Sequence, residues 1–517
     1  MKLRNIVFTF TILAFGASSV FAEQWQVLGT RPMGMGGAFV GMARGPIAQY
    51  WNPAGLYQET NTSGIELGVG VGIEFAGDIM ENASQIGDLA DDFSSIQSAQ
   101  TGGTVVDANE VAAFVKTLSL LEDMNDPGTG ALLEIAGGVN LKLSKIAVSV
   151  NNFTSAGITP LIDTLNVSLD GTGTGLGVDF NTTTDQLSMT TSAQTDAADA
   201  IALAITNNIG LANLQTLLGT SLTAVQIGNA LVQQAIDDNV SDTVITETAA
   251  TFTEYAADAK SVIDGIVAGN SYLDNTSNLT VEGASFTEIA FGMAKPVWID
   301  GLLVGGNFKM VNGQVGYSKF EFMAEESGTD NAFDDFSDTM EKSWKPSIDL
   351  GFLMQLNKRW ANLPMNPRVG LVIRNLTSPK FDKPVTAVAD GKGSSYTLDR
   401  QVRMGLALSP ANFWHIAMDM DLTKNDTAID GFKSRQLSLG TEINIFNRPA
   451  INIPLRAGIM KNMADDDAST AYTMGLGINL VHLHIDLGGI ISSDTSVIDG
   501  DDVPNKVAFS GSLALLF

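Results

Sequence analysis

About fourteen stretches of this chain place apolar side chains at every second position, with small or polar residues between them. Ile65, Leu67, Val69, Val71, Ile73 and Phe75 alternate with Glu66, Gly68, Gly70, Gly72 and Glu74. Trp414, Ile416, Met418 and Met420 alternate with His415, Ala417, Asp419 and Asp421; Val481, Leu483, Ile485 and Leu487 alternate with His482, His484 and Asp486. Successive side chains of a strand point to opposite faces, so each stretch has one apolar and one polar face. A soluble sandwich would turn the apolar faces toward one another. A transmembrane barrel turns them outward to lipid and keeps the polar faces inside. The stretches run roughly ten residues or more, the length a tilted strand needs to cross a bilayer.

The stretches lie near 63–76, 131–143, 145–158, 284–296, 299–320, 343–357, 366–378, 396–409, 412–424, 433–446, 450–462, 470–481, 482–493 and 505–517. An even number puts both ends of a barrel on one side, expected to be periplasmic. The connections then sort by length. Short ones, at Ser144, Pro296–Trp298, Asn357–Asn366, Ser409–Ala411, Asn447–Pro449 and Val481–His482, fall on that side, and long acidic ones fall outside. The final strand carries Phe509, Gly511, Leu513, Leu515 and Phe517 on one face. Its terminal aromatic, Phe517, resembles the signal that the barrel assembly machinery reads.

The chain opens with an export signal. Lys2 and Arg4 precede an apolar Ile6–Phe15, and Val20-Phe21-Ala22 fits a small-x-small cleavage site, so the mature chain is expected to begin at Glu23. The apolar run is too short for a membrane anchor, and no later run reaches the roughly 18 apolar residues of a spanning helix. The fold class that follows is all-β: a transmembrane antiparallel β-barrel of about fourteen strands in the cell outer membrane. Residues 1–22 are the signal peptide, 23–61 a plug and 62–517 the barrel.

Two outer connections read as helical insertions, near 78–130 and 185–275. The first has Val111, Phe114, Val115, Leu118 and Leu121 near helical spacing. In the second, Ala200 to Leu218, Leu222 to Ile236 and Val244 to Val267 have apolar positions three and four apart, with Ser221 and Ser241 as caps. They form either a cap packed on itself over the barrel mouth or a surface that captures an apolar ligand or partner.

With no cysteine, a disulfide framework and a thiolate nucleophile are excluded. A net charge of −28 excludes nucleic acid as a partner. The acids gather at Asp88/Asp91/Asp92, Asp330 to Asp338, Asp465-Asp466-Asp467 and Asp501-Asp502. These are either solvated loops or places where divalent cations bridge to lipopolysaccharide. Lipopolysaccharide and outer-membrane lipid are thus expected surroundings.

Before the first strand, Gln26–Tyr57 reads QVLGTRPMGMGGAFVGMARGPIAQYWNPAGLY. It is Gly-rich, with a helix-like small-residue piece from Gly36 to Ala43, and is suited to close backbone contact inside a lumen. Gly34-Met35-Gly36-Gly37-Ala38 followed by Asn52-Pro53-Ala54 resembles the N-terminal hatch of the FadL/TodX outer-membrane transporters of long-chain fatty acids and aromatic hydrocarbons. The fuller spelling, Gly-Gly-Ala then Tyr-Trp-Asn-Pro-Ala-Gly-Leu, is closer to a divergent branch of TraF-like conjugal-transfer proteins. The resemblance implies a hatch shaped and gated by Gly34, Gly36, Gly37, Asn52, Pro53 and Ala54, closing the barrel to a hydrophobic substrate. Read locally, Asn-Pro and Pro-Ala-Gly are turn chemistry, and the glycines equally serve packing.

The strand faces send Lys142, Lys309, Arg368, Arg374, Arg403 and Arg456 into the lumen together with Glu66, Glu74, Glu134, Asp349, Asp419, Asp421, Glu442 and Asp486. Opposite charges there pair across the interior. Alternatively, one or two of Lys309, Arg368, Arg374, Arg403 and Arg456 hold a ligand carboxylate. His482 and His484 share a strand face with Asp486, and their two-residue spacing offers two metal ligands, but no clear third ligand or nucleophile motif accompanies them, and they read as polar lumen residues. No nucleophile elbow, zincin or phosphate-loop signature occurs, so no enzyme, cofactor or metal site is expected. Three functions compete: a channel for hydrophobic small molecules with an apolar pocket near the outer helices; a non-transporting barrel for conjugation or surface assembly, with a filled lumen; and a polar porin, which the plug would block.

Overall fold

The computed structural model describes residues 24–58, 62–77, 108–166, 189–269, 274–321, 339–360, 363–448, 450–465, 470–498 and 501–517, with isolated positions between. The expected signal peptide and the acids Asp88, Asp91, Asp92, Asp330, Asp338, Asp466 and Asp467 lie outside the described residues.

Fourteen antiparallel strands close on themselves in sequence order. They are β1 Gly64–Ala76, β2 Gly130–Leu143, β3 Ile146–Leu161, β4 Asn278–Pro296, β5 Leu302–Glu321, β6 Glu341–Gln355, β7 Arg368–Arg374, β8 Gln401–Ala411, β9 Trp414–Asp421, β10 Gln436–Ile445, β11 Ile451–Asn462, β12 Thr470–Leu480, β13 Leu483–Ser492 and β14 Lys506–Leu516. Closure satisfies every edge that an open sheet would leave unpaired. The seam joins β1 to β14, with Gly64 opposite Leu516 and Glu74 opposite Lys506. Ser63 and Phe517 finish it with reciprocal backbone hydrogen bonds of 2.9 and 2.8 Å. The exposed Phe517 side chain therefore sits where the barrel closes.

Alternation separates the two faces as read from the sequence. Leu67, Val69 and Val71 of β1, Met404 and Leu406 of β8, and Phe509, Leu513 and Leu515 of β14 point outward and are exposed. This apolar exterior, far larger than a soluble surface carries, is that of a barrel immersed in lipid. At the end of the barrel with short turns, Trp298, Trp360, Phe413, Trp414, Phe446 and Phe517 are exposed as a girdle, the arrangement that suits a membrane–water boundary. The tight turns there bend hard enough to put the β-branched Val481 at φ +48°.

At the opposite, long-loop end, helices Ala108–Asp123, Ser192–Ala204, Leu211–Leu218, Ala224–Asp237, Asp242–Tyr255 and Ala259–Ala268 build a separate apolar core around Ile205, Ile227, Leu231, Phe252 and Ile263. They pack on one another as a cap. Ser241 caps its helix as expected, accepting from the Val244 amide. Ser221 does not; Thr223 is the cap, because Gln226 three residues on completes a reciprocal capping box with it. Short two-stranded ribbons, Lys380–Asp382 with Ser395–Thr397, Asn425–Asp426 with Lys433–Ser434 and Thr495–Ile498 with Asp501–Pro504, extend the same end.

Candidate functional site

Residues 24–58 lie inside the barrel against inward-facing side chains and are almost wholly buried. The segment holds two single-turn helices, Thr30–Met33 and Ala48–Trp51, and a 3-10 turn, Pro53–Tyr57. The expected helix-like piece from Gly36 to Ala43 is instead a string of turns, because Gly36 and Gly37 take φ of +69° and +81°, outside the helical region. The segment has its own aromatic core. Tyr50 packs edge-on to Trp25 and Trp51 at 6.0 and 5.6 Å and stacks on Phe153 of β3 at 5.0 Å. The Tyr50 hydroxyl donates to the Gln26 carbonyl at 2.6 Å, and Trp51 Nε1 donates to the Leu28 carbonyl at 2.9 Å. Two wall arginines cover the cluster, Arg374 with its guanidinium 4.1 Å from the Tyr50 ring and Arg403 4.6 Å from the Trp25 ring.

The wall receives this segment through a belt of glycines. Neighbouring strands place them side by side: Gly305 opposite Gly351, Gly370 opposite Gly405, and Gly440 opposite Gly458. A Cβ on Gly305 would stand 2.3 Å from the Pro53 carbonyl carbon, one on Gly440 2.2 Å from the Met35 oxygen, and one on Gly458 2.6 Å from the Gly36 nitrogen. Each is a collision with backbone, so the belt admits only glycine while the hatch is seated. From the hatch side, a Cβ on Gly34 would stand 2.9 Å from the Gly475 Cα. The abundance of inward glycines, legible as alternation with apolar residues, is thus the imprint of a backbone passing close by.

Asn52 ties the hatch to itself and to the wall. Its Nδ2 donates to the carbonyls of Val40 at 3.2 Å and Phe352 at 3.0 Å, and its Oδ1 accepts from the Ala54 amide at 3.1 Å. Pro53 then starts the 3-10 turn, where a missing amide proton costs nothing, and Ala54 is buried against Leu303 and Leu353. Gly36 donates to Thr473 Oγ1 at 2.9 Å. Asp419 accepts the amides of both Phe39 and Val40 at 2.7 and 2.8 Å. The six hatch positions therefore lie at the hatch–wall interface or, as with Gly37, in the turn beside it. Arg31 adds an anchor not singled out from the sequence, a two-point bond to Glu442.

Most lumen cations are already matched. Lys309 binds Glu288 at 2.8 Å and Asp349 at 3.0 Å; Arg374 shares Glu288 at 3.0 Å. Arg403 grips Asp421 through two nitrogens, at 2.5 and 3.0 Å. Arg456 joins Glu442 at 2.7 Å to Asp486 at 2.5 Å. These four are engaged by wall carboxylates, so a ligand anion held by any of them would compete with a buried carboxylate. Arg368 stands apart, near the short turns, bonded to Gln58 and Ser409. Lys142 donates to the Thr62 carbonyl, and Glu74 pairs with Lys506 at 2.6 Å. Glu288, the shared acceptor, was missed by sequence reasoning; a lone carboxylate on the inward face between Phe286 and Ala290 was the available signal. His482 sits in the β12–β13 turn with Nδ1 2.7 Å from the Leu516 carbonyl, so it does not share a working face with His484 and Asp486.

The hatch divides the interior. On the long-loop side lies a chamber of about 760 Å³ between strand ends and the helical cap, reached by Tyr255 and Leu120. An apolar pocket was expected there. The chamber is instead strongly polar, with Glu74, Asp123, Asp126, Asp465 and Asp494 facing Lys433 and Lys506. A narrow slot of about 50 Å³ lies beside the hatch, between Val27 and Met33 on one side and Met460, Ile490 and Ala508 on the other. Chamber and slot share Glu74, Gln436, Met460 and Lys506.

Residues 49–421 match the family model described as the F plasmid transfer operon TraF protein. The chain belongs to this family. The match takes in Trp51-Asn52-Pro53-Ala54 and the barrel strands β1 to β9. No curated protein matches in sequence. Among solved structures, the family member is similar to the CymD monoaromatic hydrocarbon channel, with a TM-score of 0.40 and 12% identity over 96% of this chain and 99% of that one. It is also similar to the Pseudomonas putida toluene transporter TodX, with a TM-score of 0.39 and 10% identity over 96% and 98%. A Pseudomonas aeruginosa FadL homologue gives a TM-score of 0.39 and 9% identity over 97% and 99%.

Proposed function

We propose that this TraF-family barrel is an outer-membrane channel for uncharged hydrophobic small molecules, gated by the hatch. The observation that carries the reading is the slot beside the hatch, whose lining surface is mostly apolar although Glu74, Glu134 and Lys506 also border it, and which shares lining residues with the chamber above. A molecule entering from the long-loop side passes a polar vestibule and meets Val27, Met33, Met460 and Ile490, where apolar surface leaves water. Lys309, Arg374, Arg403 and Arg456 are held by wall carboxylates, which favours neutral hydrocarbons over fatty-acid anions. The slot as it stands is too small for a drug-sized ligand, so passage requires the hatch to shift. A second reading, a non-transporting barrel acting in conjugation or surface assembly, is favoured by the family description and by how fully residues 24–58 occupy the lumen.

Native mass spectrometry with lipid extraction of the detergent-purified protein separates the two. A reproducibly bound apolar molecule, lost on Met33→Trp or Ile490→Trp, supports the channel. A barrel that stays empty across several detergents and with added toluene or fatty acid rejects it in favour of assembly.

A further inference from the structure

We propose that the slot beside the hatch selects small apolar molecules that carry a hydroxyl, phenols among them, over bare hydrocarbons of the same size. The inference rests on the reading of the slot as a ligand path and names the class of molecule that the path retains. Four residues bordering the slot each hold a buried polar atom with no hydrogen-bond partner among the described residues: Gln24 Oε1, Trp25 Nε1, Gln26 Oε1 and Glu134 Oε1. Gln24, Trp25 and Gln26 are only 7%, 2% and 4% exposed. A buried polar group left unpaired is costly, and four beside one small space point to a partner that comes from outside the chain.

The other ends of the two carboxamides are committed. Gln24 Nε2 donates to Glu134 Oε2 at 3.0 Å, and Gln26 Nε2 donates to the Thr154 carbonyl at 3.2 Å. These bonds hold one carboxamide on a carboxylate of β2 and the other on the backbone of β3, and leave an oxygen of each without a donor. Val27 and Met33 of the hatch and Met460, Ile490 and Ala508 of the wall supply the apolar lining.

The unpaired atoms decide what a ligand must bring. Three are acceptors and one, the indole N–H of Trp25, is a donor. A hydrocarbon answers none of them. An ammonium donates but cannot accept from Trp25. A carboxylate accepts but cannot donate, and it would meet a surplus of its own charge. Glu74, Glu134 and Lys506 are the charged groups on the described lining, and Lys506 pairs with Glu74 at 2.6 Å. A hydroxyl both donates and accepts through one oxygen. The slot, about 50 Å³, takes the hydroxyl end, and the rest of a ring extends past Met460 toward the chamber.

The test is equilibrium dialysis of the full protein in lipid nanodiscs with radiolabelled phenol, toluene and benzylamine, with empty nanodiscs as the blank. Phenol and toluene are close in size and shape and differ by a hydroxyl in place of a methyl. Toluene is the more hydrophobic, so a slot without polar selection would prefer it. Phenol is expected to bind at least about tenfold tighter than toluene or benzylamine. The double variant Gln24→Leu/Glu134→Leu removes the bonded pair together, a change that leaves no new unpaired group at that bond, and it should reverse the order of phenol and toluene. Met33→Trp, which fills the slot, should abolish phenol binding, with heat-modifiable gel mobility confirming an intact barrel in both variants. Toluene binding as tightly as phenol would overturn the selection while leaving the hydrocarbon channel standing; no binding of either above the blank would remove both. Benzylamine matching phenol, an unchanged order in the folded double variant, or phenol retained by Met33→Trp would each overturn the inference as well.

Discussion

Arg31 of the hatch and Glu442 of β10 bond through Nε to Oε2 and Nη2 to Oε1, both at 2.7 Å, across 411 positions of sequence. Glu442 is almost completely buried and also holds Arg456. Removing its charge takes the carboxylate from Arg31 and one of two from Arg456, which keeps Asp486, and breaking such a buried pair costs on the order of 3–5 kcal/mol. Glu442→Gln is therefore expected to unseat the hatch more than the barrel. The native chain has no cysteine, so a single Ala38→Cys reports hatch opening without background. Thiol labelling of Ala38→Cys should accelerate by about a hundredfold in the Glu442→Gln background. Equal rates would mean that this bond does not hold the hatch.

The glycine belt makes a sharper demand. Gly458→Ala places a methyl 2.6 Å from the Gly36 amide nitrogen, and backbone on both sides cannot yield cheaply. A loss of about 1–3 kcal/mol is expected. Gly511→Ala, whose nearest neighbour is the Leu487 side chain at 3.7 Å, should be neutral or slightly stabilising. Thermal unfolding followed by tryptophan fluorescence compares the two, and similar midpoints would contradict the close approach.

Asn52 is expected to be specific in its chemistry, not only in its size. Asn52→Asp keeps the acceptor for the Ala54 amide but turns a second oxygen toward the carbonyls of Val40 and Phe352. Both Asn52→Asp and Asn52→Ala should lose about 1–3 kcal/mol of hatch stability, with the aspartate no better than the alanine. Amide exchange at Ala54 would show it. Full protection in Asn52→Asp would dismiss the role of the Nδ2 donors.

The long-loop end should respond to acid in an unusual direction. Burial, reinforced by nearby Asp426 and opposed by Lys380 and Arg400, pushes the Asp399 carboxyl up to about 6. The folded value lies above that of an unfolded aspartate, near 3.9. Its charge therefore destabilises the fold above pH about 6, and the penalty fades as pH falls from there toward 4. The hairpin at Lys380–Thr397 should resist protease better near pH about 5 than near pH about 7.5, and Asp399→Asn should remove the difference. Greater nicking at the lower pH in the native chain would refute the assignment.

Much of the architecture was legible because lipid imposes a two-residue period. Every one of the fourteen stretches corresponds to a barrel strand, with ends shifted by a few residues, and the short and long connections alternate as expected. Alternation also placed Lys309, Arg374, Arg403 and Arg456 inward. It was silent about Glu288 as the partner of two of them, since pairing depends on strand register and on side-chain reach across neighbouring strands. Gly36 to Ala43 misled for a related reason. Small residues suit a tight helix and a tight turn equally well, and the wall glycines Gly440 and Gly458 select the turn.

The sequence by itself determined a closed fourteen-stranded barrel with an apolar exterior, a charged interior and a glycine-rich segment ahead of it, because a strand's faces are a local property of the chain. Tertiary structure alone decided that this segment would seat against a glycine belt, that Tyr50 would lie beneath Arg374, and that a polar chamber would share its lining with the slot beside the hatch. Those relationships join residues hundreds of positions apart, and they exist only once the barrel has closed around the hatch.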